Sequence, residues 1–202
     1  MNTDLDLTMS KKEDMQHITS SVENCRKCSL WKTRKKPVAG EGSIDTDVIF
    51  VGEAPGYNED IQGRPFVGKA GRILDELLES IGLKRNNVYI ANILKCRPPD
   101  NRNPLKTEID VCTEYLDKQL EIIQPKIIVP LGNFAVSYIF EKFGLQYDKI
   151  SNVHGKIFQI NTLFGNIKII PLYHPAVATY NPETKNILLE DFKMIKKMLE
   201  QS

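Results

Sequence analysis

"DVIFVGEAPG", residues 47–56, runs from an apolar stretch directly into a glycine-bounded turn. Val48 to Val51 show no polar alternation, the pattern of a strand buried on both faces, as in a parallel sheet. Outward from it, "GKAGRILDELLESIG" (68–82) carries Ile73, Leu74, Leu77, Leu78 and Ile81 on one helical face and stops at Gly82. "NVYIANIL" (87–94), "KIIVPLG" (126–132) and "NIKIIPLYHP" (166–175) are further strands. Between them, "NPLKTEIDVCTEYLDKQLEIIQP" (103–125) is a helix with Ile109, Cys112, Leu116, Leu120 and Ile123 on one stripe, and "NFAVSYIFEKFG" (133–144) is another. "KIFQI" (156–160) is expected to pair with the last strand as a hairpin across the Leu163–Asn166 turn, and helices are expected over 14–24 and 184–200. This alternation predicts an α/β fold: three α/β/α layers around a central, mainly parallel four-stranded sheet. One domain is expected over 1–202, with a polar, mobile lead-in over about 1–12.

With 202 residues and 41% hydrophobic content the chain is long enough for a real core. A net charge of +1 gives no global basic signal, so nucleic-acid contact would need a local patch. No apolar run reaches membrane-spanning length and no signal pattern opens the chain, which predicts a cytoplasmic protein without a membrane partner. "GRPFVGKA" (63–70) imitates a phosphate-binding loop, but Ala70 stands where a magnesium-binding Ser or Thr is needed, and "YNEDIQ" rather than a strand precedes it. A nucleoside triphosphatase is thereby disfavoured.

In an open parallel sheet, ligands bind beyond the carboxyl ends of the strands. There stand Gly52-Glu53-Ala54-Pro55-Gly56, Asn92, Asn133 and His174-Pro175-Ala176. Glycine-rich turns expose backbone N–H groups to an anion or carbonyl oxygen, Asn offers a donor and an acceptor to a base edge, and His stabilises developing negative charge. Singly, each reads as a turn, cap or core residue; their convergence on one rim is the stronger signal.

The four cysteines are Cys25 and Cys28 in "ENCRKCSLW", Cys96 after a strand, and Cys112 on the inward stripe of a helix. Stable disulfides are unusual in the cytoplasm, and this is not the compact spacing of a zinc finger. Four thiolates can hold either zinc or a [4Fe–4S] cluster, and spacing does not choose between them.

Together, "VGEAPGYNEDIQGRPFVGKAGRILD" (51–75), "VYIANILKCRPPDNRNP" (88–104), "IIVPLG" (127–132) and "YHPA" (173–176), behind the Cys25–Cys28 pair, resemble the family 4, thermophile-type uracil-DNA glycosylases over nearly the whole chain. The resemblance implies hydrolysis of the N-glycosidic bond of deoxyuridine in single- or double-stranded DNA, releasing uracil and leaving an abasic site for base excision repair. It also implies a [4Fe–4S] cluster on Cys25, Cys28, Cys96 and Cys112. By motif position, His174 meets the uracil O2 side, Asn92 reads the Watson–Crick edge, Phe66 is the stacking platform, and the backbone of Gly52, Glu53, Ala54 and Gly56 completes the pocket. The carboxylate role is split between Glu53 and Glu59, because Ala54 stands where another glycosylase family has its aspartate; Glu59 alternatively fills the space of a thymine methyl. DNA contacts are expected from Lys69, Arg97, Arg102 and Lys106, with Val177, Ala178 and Tyr180 as wedge candidates, since this loop lacks the larger apolar residue and arginine that relatives often carry. A monomer working in the nucleoid is expected, with a sliding clamp as a family-habit partner although no clamp-binding peptide is evident. Two other classes, a non-enzymatic four-cysteine DNA-binding module and an electron carrier, have no need of Asn92, His174 and Phe66.

Overall fold

The structure is a computed structural model that describes residues 3–147, 149–162 and 165–201. In chain order its elements are α1 (Thr3–Glu23), β1 (Glu41–Gly42), β2 (Val48–Gly52), α2 (Tyr57–Gln62), α3 (Lys69–Ser80), β3 (Tyr89–Asn92), α4 (Lys106–Ile123), β4 (Ile127–Pro130), α5 (Asn133–Lys142), α6 (Ile150–Val153), β5 (Phe158–Thr162), β6 (Gly165–Ile169) and α7 (Pro182–Glu200). A 3-10 turn, Pro175–Thr179, joins the last strand to α7.

The sheet has six strands rather than four, in the order β1-β3-β2-β4-β6-β5. Its parallel centre is the expected set of four, β3, β2, β4 and β6. The correction lies at the edges, where β1 and β5 pair antiparallel with β3 and β6. Two residues, Glu41 and Gly42, are too few to show any alternation, so β1 leaves no pattern in the sequence. The β5–β6 hairpin matches expectation, although Leu163 and Phe164 of its turn lie outside the described residues. β6 is shorter than expected. Pro171 has no N–H for the ladder, and pairing resumes only as a single bridge from Leu172 to Leu131. At the other end of the chain, the helix expected over 14–24 begins at Thr3, so most of the polar lead-in is helical.

Successive residues of β2 supply opposite faces of the sheet. Ile49 and Val51 pack with Met15, Ile18 and Val22 of α1, Cys112 and Leu116 of α4, and Val136 and Ile139 of α5. Val48 and Phe50 pack with Leu74, Leu77 and Leu78 of α3 and Leu188, Phe192 and Ile195 of α7. All five residues of β2 are buried, which is why its sequence is continuous rather than alternating. Among the described residues no helix is long and apolar enough to cross a membrane.

Phe50 and Phe192 stack with ring centroids 5.6 Å apart, joining the central strand to α7. Phe192→Ala is expected to lower the free energy of unfolding in urea by about 3–5 kcal/mol. Tyr180→Ala, at a side chain 84% exposed, should change it by no more than about 0.5 kcal/mol. Equal effects would contradict this assignment of the core.

Candidate active site

Because β3 and β4 lie on opposite sides of β2, the chain diverges at the carboxyl end of β2 and opens a crevice there. Gly52 ends that strand. A Cβ on Gly52 would lie 2.3 Å from Asn92 Oδ1 and 2.7 Å from Phe66 Cζ, so only glycine lets the amide and the ring converge over the backbone. Asn92, the last residue of β3, is 2% exposed, and what little of it meets solvent is at the crevice: no fully buried polar side-chain atom of the described residues is left without a partner, and the Asn92 amide has none among them. That amide is available to a ligand. The main-chain carbonyl of Asn92 accepts from Lys95 Nζ at 2.9 Å, and Lys95 Nζ also donates to Gln119 Oε1 of α4 at 2.8 Å. Burial lowers the Lys95 pKa to about 8.

Phe66 is buried and has φ 51°, a left-handed conformation that costs a non-glycine residue on the order of 1–3 kcal/mol. Its ring stacks towards the His174 imidazole, with centroids 5.5 Å apart and planes 24° from parallel. His174 Nδ1 accepts a hydrogen bond from the Ala176 N–H at 3.1 Å. In the neutral ring this puts the proton on Nε2 and makes that nitrogen a donor. Burial drives the His174 pKa down to about 4, against the opposing pull of the Glu59 charge. The imidazole is therefore neutral at physiological pH. Gly132, at φ 87°, admits the His174 loop closely, since its Cβ would lie 3.1 Å from His174 Cβ. A cleft of about 350 Å³ opens beside the imidazole, lined among others by Glu53, Asn133, Tyr173 and Val177. Burial raises the pKa of the Glu53 carboxyl.

Glu59 sits in the first turn of α2, and both its carboxylate oxygens are occupied. Oε2 accepts from the Gly56 N–H at 3.1 Å, and Oε1 accepts from the N–H groups of Val67 and Gly68, each at 2.8 Å. It ties the turn after β2 to the loop that carries Phe66. Of the two carboxylates expected here, Glu53 is the one whose side chain makes no hydrogen bond to a described residue.

The four cysteines are free thiols gathered on the α4 side of the sheet. Cys96 and Cys112 are buried, and Cys25 and Cys28 pack against the same core. Burial pushes the Cys112 thiol up to about 12, while the nearby charges of Cys96 and Cys28 add to the shift. Two sulfurs already receive donors: Arg34 Nη1 lies 3.1 Å from Cys96 Sγ, and the Lys95 N–H lies 3.2 Å from Cys112 Sγ. Among the described residues no three His, Cys, Asp or Glu side chains gather tightly enough to hold a single ion. Four thiols gathered on one side of the core make a soft donor set suited to zinc or to an iron–sulfur cluster.

The proposed DNA contacts fare unevenly. Lys69 is exposed, Arg97 stacks on exposed Tyr57 at 5.3 Å, and Lys106 is 80% exposed beside Asp110. Arg102 differs, because its guanidinium forks onto the buried Glu108 carboxylate at 2.9 and 2.6 Å and so braces its own loop. Ala178 is buried in the α3–α7 core, which corrects its place among the wedge candidates and leaves Val177 and Tyr180 exposed. Lys95 was not singled out in the sequence: a lysine before a cysteine at a strand end looks like an ordinary surface residue, and only its burial in "NILKC" shows otherwise.

Residues 39–200 match the family model described as the uracil DNA glycosylase superfamily. Given that match and the fold, the chain belongs to the uracil-DNA glycosylase superfamily, in its type-4 branch. It is 46% identical over 188 residues to the type-4 uracil-DNA glycosylase of Saccharolobus solfataricus, covering 93% of this chain and 87% of the relative. The type-4 uracil-DNA glycosylase of Archaeoglobus fulgidus is 46% identical over 183 residues, 91% of this chain and 92% of the relative. That of Thermotoga maritima is 41% identical over 194 residues, 95% and 98% of the two chains.

If Glu59 orders the Phe66 loop as its bonds indicate, Glu59→Ala should speed hydrogen exchange at the Val67 and Gly68 amides. A hydrogen bond to a charged group contributes about 1.5–3 kcal/mol, equivalent to roughly 10–150-fold in exchange. Unchanged exchange at both amides would show that the loop is held by something else.

Proposed function

We propose that the protein hydrolyses the N-glycosidic bond of deoxyuridine in DNA, releasing uracil as the first step of base excision repair. The observation that carries this is the convergence on one rim of the Asn92 amide, an aromatic ring carried on a left-handed backbone and a neutral imidazole with its donor nitrogen free.

Uracil departs as an anion while the sugar gains oxocarbenium character, so the site must stabilise negative charge on the base. His174 donates from Nε2 to the O2 side of the leaving base, with the Ala176 N–H fixing its tautomer. Asn92 offers its amide to the Watson–Crick edge, where uracil and cytosine carry opposite donor and acceptor patterns. Phe66 stacks on the flipped base, a contact worth roughly 1–3 kcal/mol. The backbone of Gly52, Glu53, Ala54 and Gly56 closes the pocket, and Glu53 is the carboxylate on the water side. Glu59, with both oxygens committed to backbone N–H groups, holds the loop instead. Extruding the base costs a few kcal/mol and least at a mispair, which makes U opposite G a favoured substrate. Lys69, Arg97 and Lys106 supply phosphate contacts, and Val177 and Tyr180 enter the duplex.

Cys25, Cys28, Cys96 and Cys112 would hold a [4Fe–4S] cluster, whose contribution is to cross-link the amino-terminal segment to the loop after β3 and to α4. The hydrolysis itself uses no electron transfer.

Uracil-containing oligonucleotide treated with the metal-loaded protein and then alkali should be cut at uracil; intact strands at molar excess of protein would sink the proposal. His174→Ala should slow single-turnover excision by about 10²–10³-fold, the usual cost of one oxyanion donor, while iron content is unchanged. The folded pKa of His174, about 4, lies below its unfolded value of about 6.5. The unfolded chain therefore binds more protons between those values, so the stability this residue contributes is complete above 6.5 and lost as pH falls through 4. The excision rate should likewise keep the neutral imidazole down to about pH 5, and an acid limb with its midpoint near 6.5 would contradict the assigned state. Cys112→Ser should lose the broad visible absorption of an iron–sulfur protein; a colourless native protein with stoichiometric zinc would refute the cluster.

A further inference from the structure

We propose that Arg85 is a positioning residue for the Phe66 platform, gripping its backbone from the side opposite Glu59; this rests on Phe66 being the surface on which the base stacks. Arg85 lies in the turn between α3 and β3, and its side chain is 19% exposed. Its Nη1 donates to the Phe66 carbonyl at 3.0 Å and its Nη2 to the Pro65 carbonyl. Two carboxylates aim the guanidinium: Glu41 Oε1 accepts from Nε at 3.1 Å, and Asp75 Oδ1 accepts from Nη1 at 3.0 Å. Glu41 is itself fixed by a two-pronged pair with Arg64 at 2.6 and 2.9 Å.

The geometry matters because of which groups are held. The conformation of Phe66 is set by the two peptide planes that flank it. The plane before it is held through the Pro65 carbonyl. The plane after it is held at both ends, with its carbonyl on the Arg85 cation and its Val67 N–H on the Glu59 anion. Flipping that peptide would turn the carbonyl towards the carboxylate and the N–H towards the guanidinium. The charge arrangement is thus keyed to one orientation, and that orientation is the left-handed one, φ 51°. Gly71 completes the seat: a Cβ there would lie 1.8 Å from the Phe66 carbonyl oxygen, so α3 can pass directly behind the gripped loop. A lysine would not substitute fully, since one ammonium lacks the planar fork that serves two carbonyls and two carboxylates together.

The test is a double-mutant cycle in single-turnover uracil excision, using the full metal-loaded chain and the variants Arg85→Met, Phe66→Ala and their combination. Loss of stacking should make Phe66→Ala slower by about 5–150-fold. Arg85→Met should slow the Phe66 protein by about tenfold or more but the Phe66→Ala protein by less than about twofold, because two residues acting as one unit are not additive. Arg85→Lys, which keeps the charge should Arg85→Met not fold, should show the same dependence on Phe66 with a smaller effect. Equal slowing in both backgrounds, or none in the Phe66 protein, would overturn the proposal. If Phe66→Ala alone leaves the rate unchanged while Arg85→Met lowers it, the platform assignment has failed, and that result is separate from Arg85 slowing both backgrounds alike.

Discussion

Burial of β2 on both faces is the constraint from which the rest of the molecule follows. Because Val48 to Val51 have no exposed side, helices must cover the sheet above and below, and the functional residues are confined to the strand ends. A strand with two apolar faces has only its termini to offer to solvent. The carboxyl terminus of β2 happens also to be where the sheet's connections diverge, so the crevice is a product of topology before any side chain is chosen. Gly52, Asn92, Gly132 and His174 then shape that crevice by what they leave out as much as by what they supply. Two of them are glycines whose missing Cβ atoms are what permit the close approach of the others.

Much of this was legible in the sequence, for a definite reason. Continuous apolar strands and the stripe of Leu74, Leu77 and Leu78 are local patterns, and the structure keeps them, although β3, β4 and β6 are each shorter than the stretches that announce them. The motif residues are legible because they sit at fixed offsets from those strands. What failed to show was set by contacts between distant segments. The two-residue β1 exists only because β3 presents an edge to it. Lys95 is indistinguishable from a surface lysine until α4 brings Gln119 over it. Arg85, in "LKRNN", looks like a solvated turn, and only the fold reveals that its partners lie in "PF" and at Glu41. Arg102 stands among the motif residues expected at DNA, and only the fold shows that Glu108, six residues on, braces its guanidinium.

Seen this way, charged residues here do more positioning than binding. Glu59, Arg85, Lys95 and Arg102 each direct their charge at backbone groups or at another buried charge. Where water is excluded, as around the buried Lys95, such bonds are stronger than on the surface. They hold loops that carry no regular secondary structure, which is how glycine-rich turns can present a defined pocket. With 27 Lys and Arg against 26 Asp and Glu, the chain has no global positive field, so a surface that attracts DNA has to be a local one.

The hydrogen bond from the Ala176 N–H to His174 has a consequence for the fate of the departing base. With Nδ1 occupied by a main-chain donor and Nε2 already carrying its proton, the ring has no vacant lone pair with which to collect another. It can steady an anion but has no relay through which to replace a proton that it surrenders. On the mechanism proposed above, the imidazole therefore holds the departing base by a hydrogen bond and does not act as its acid.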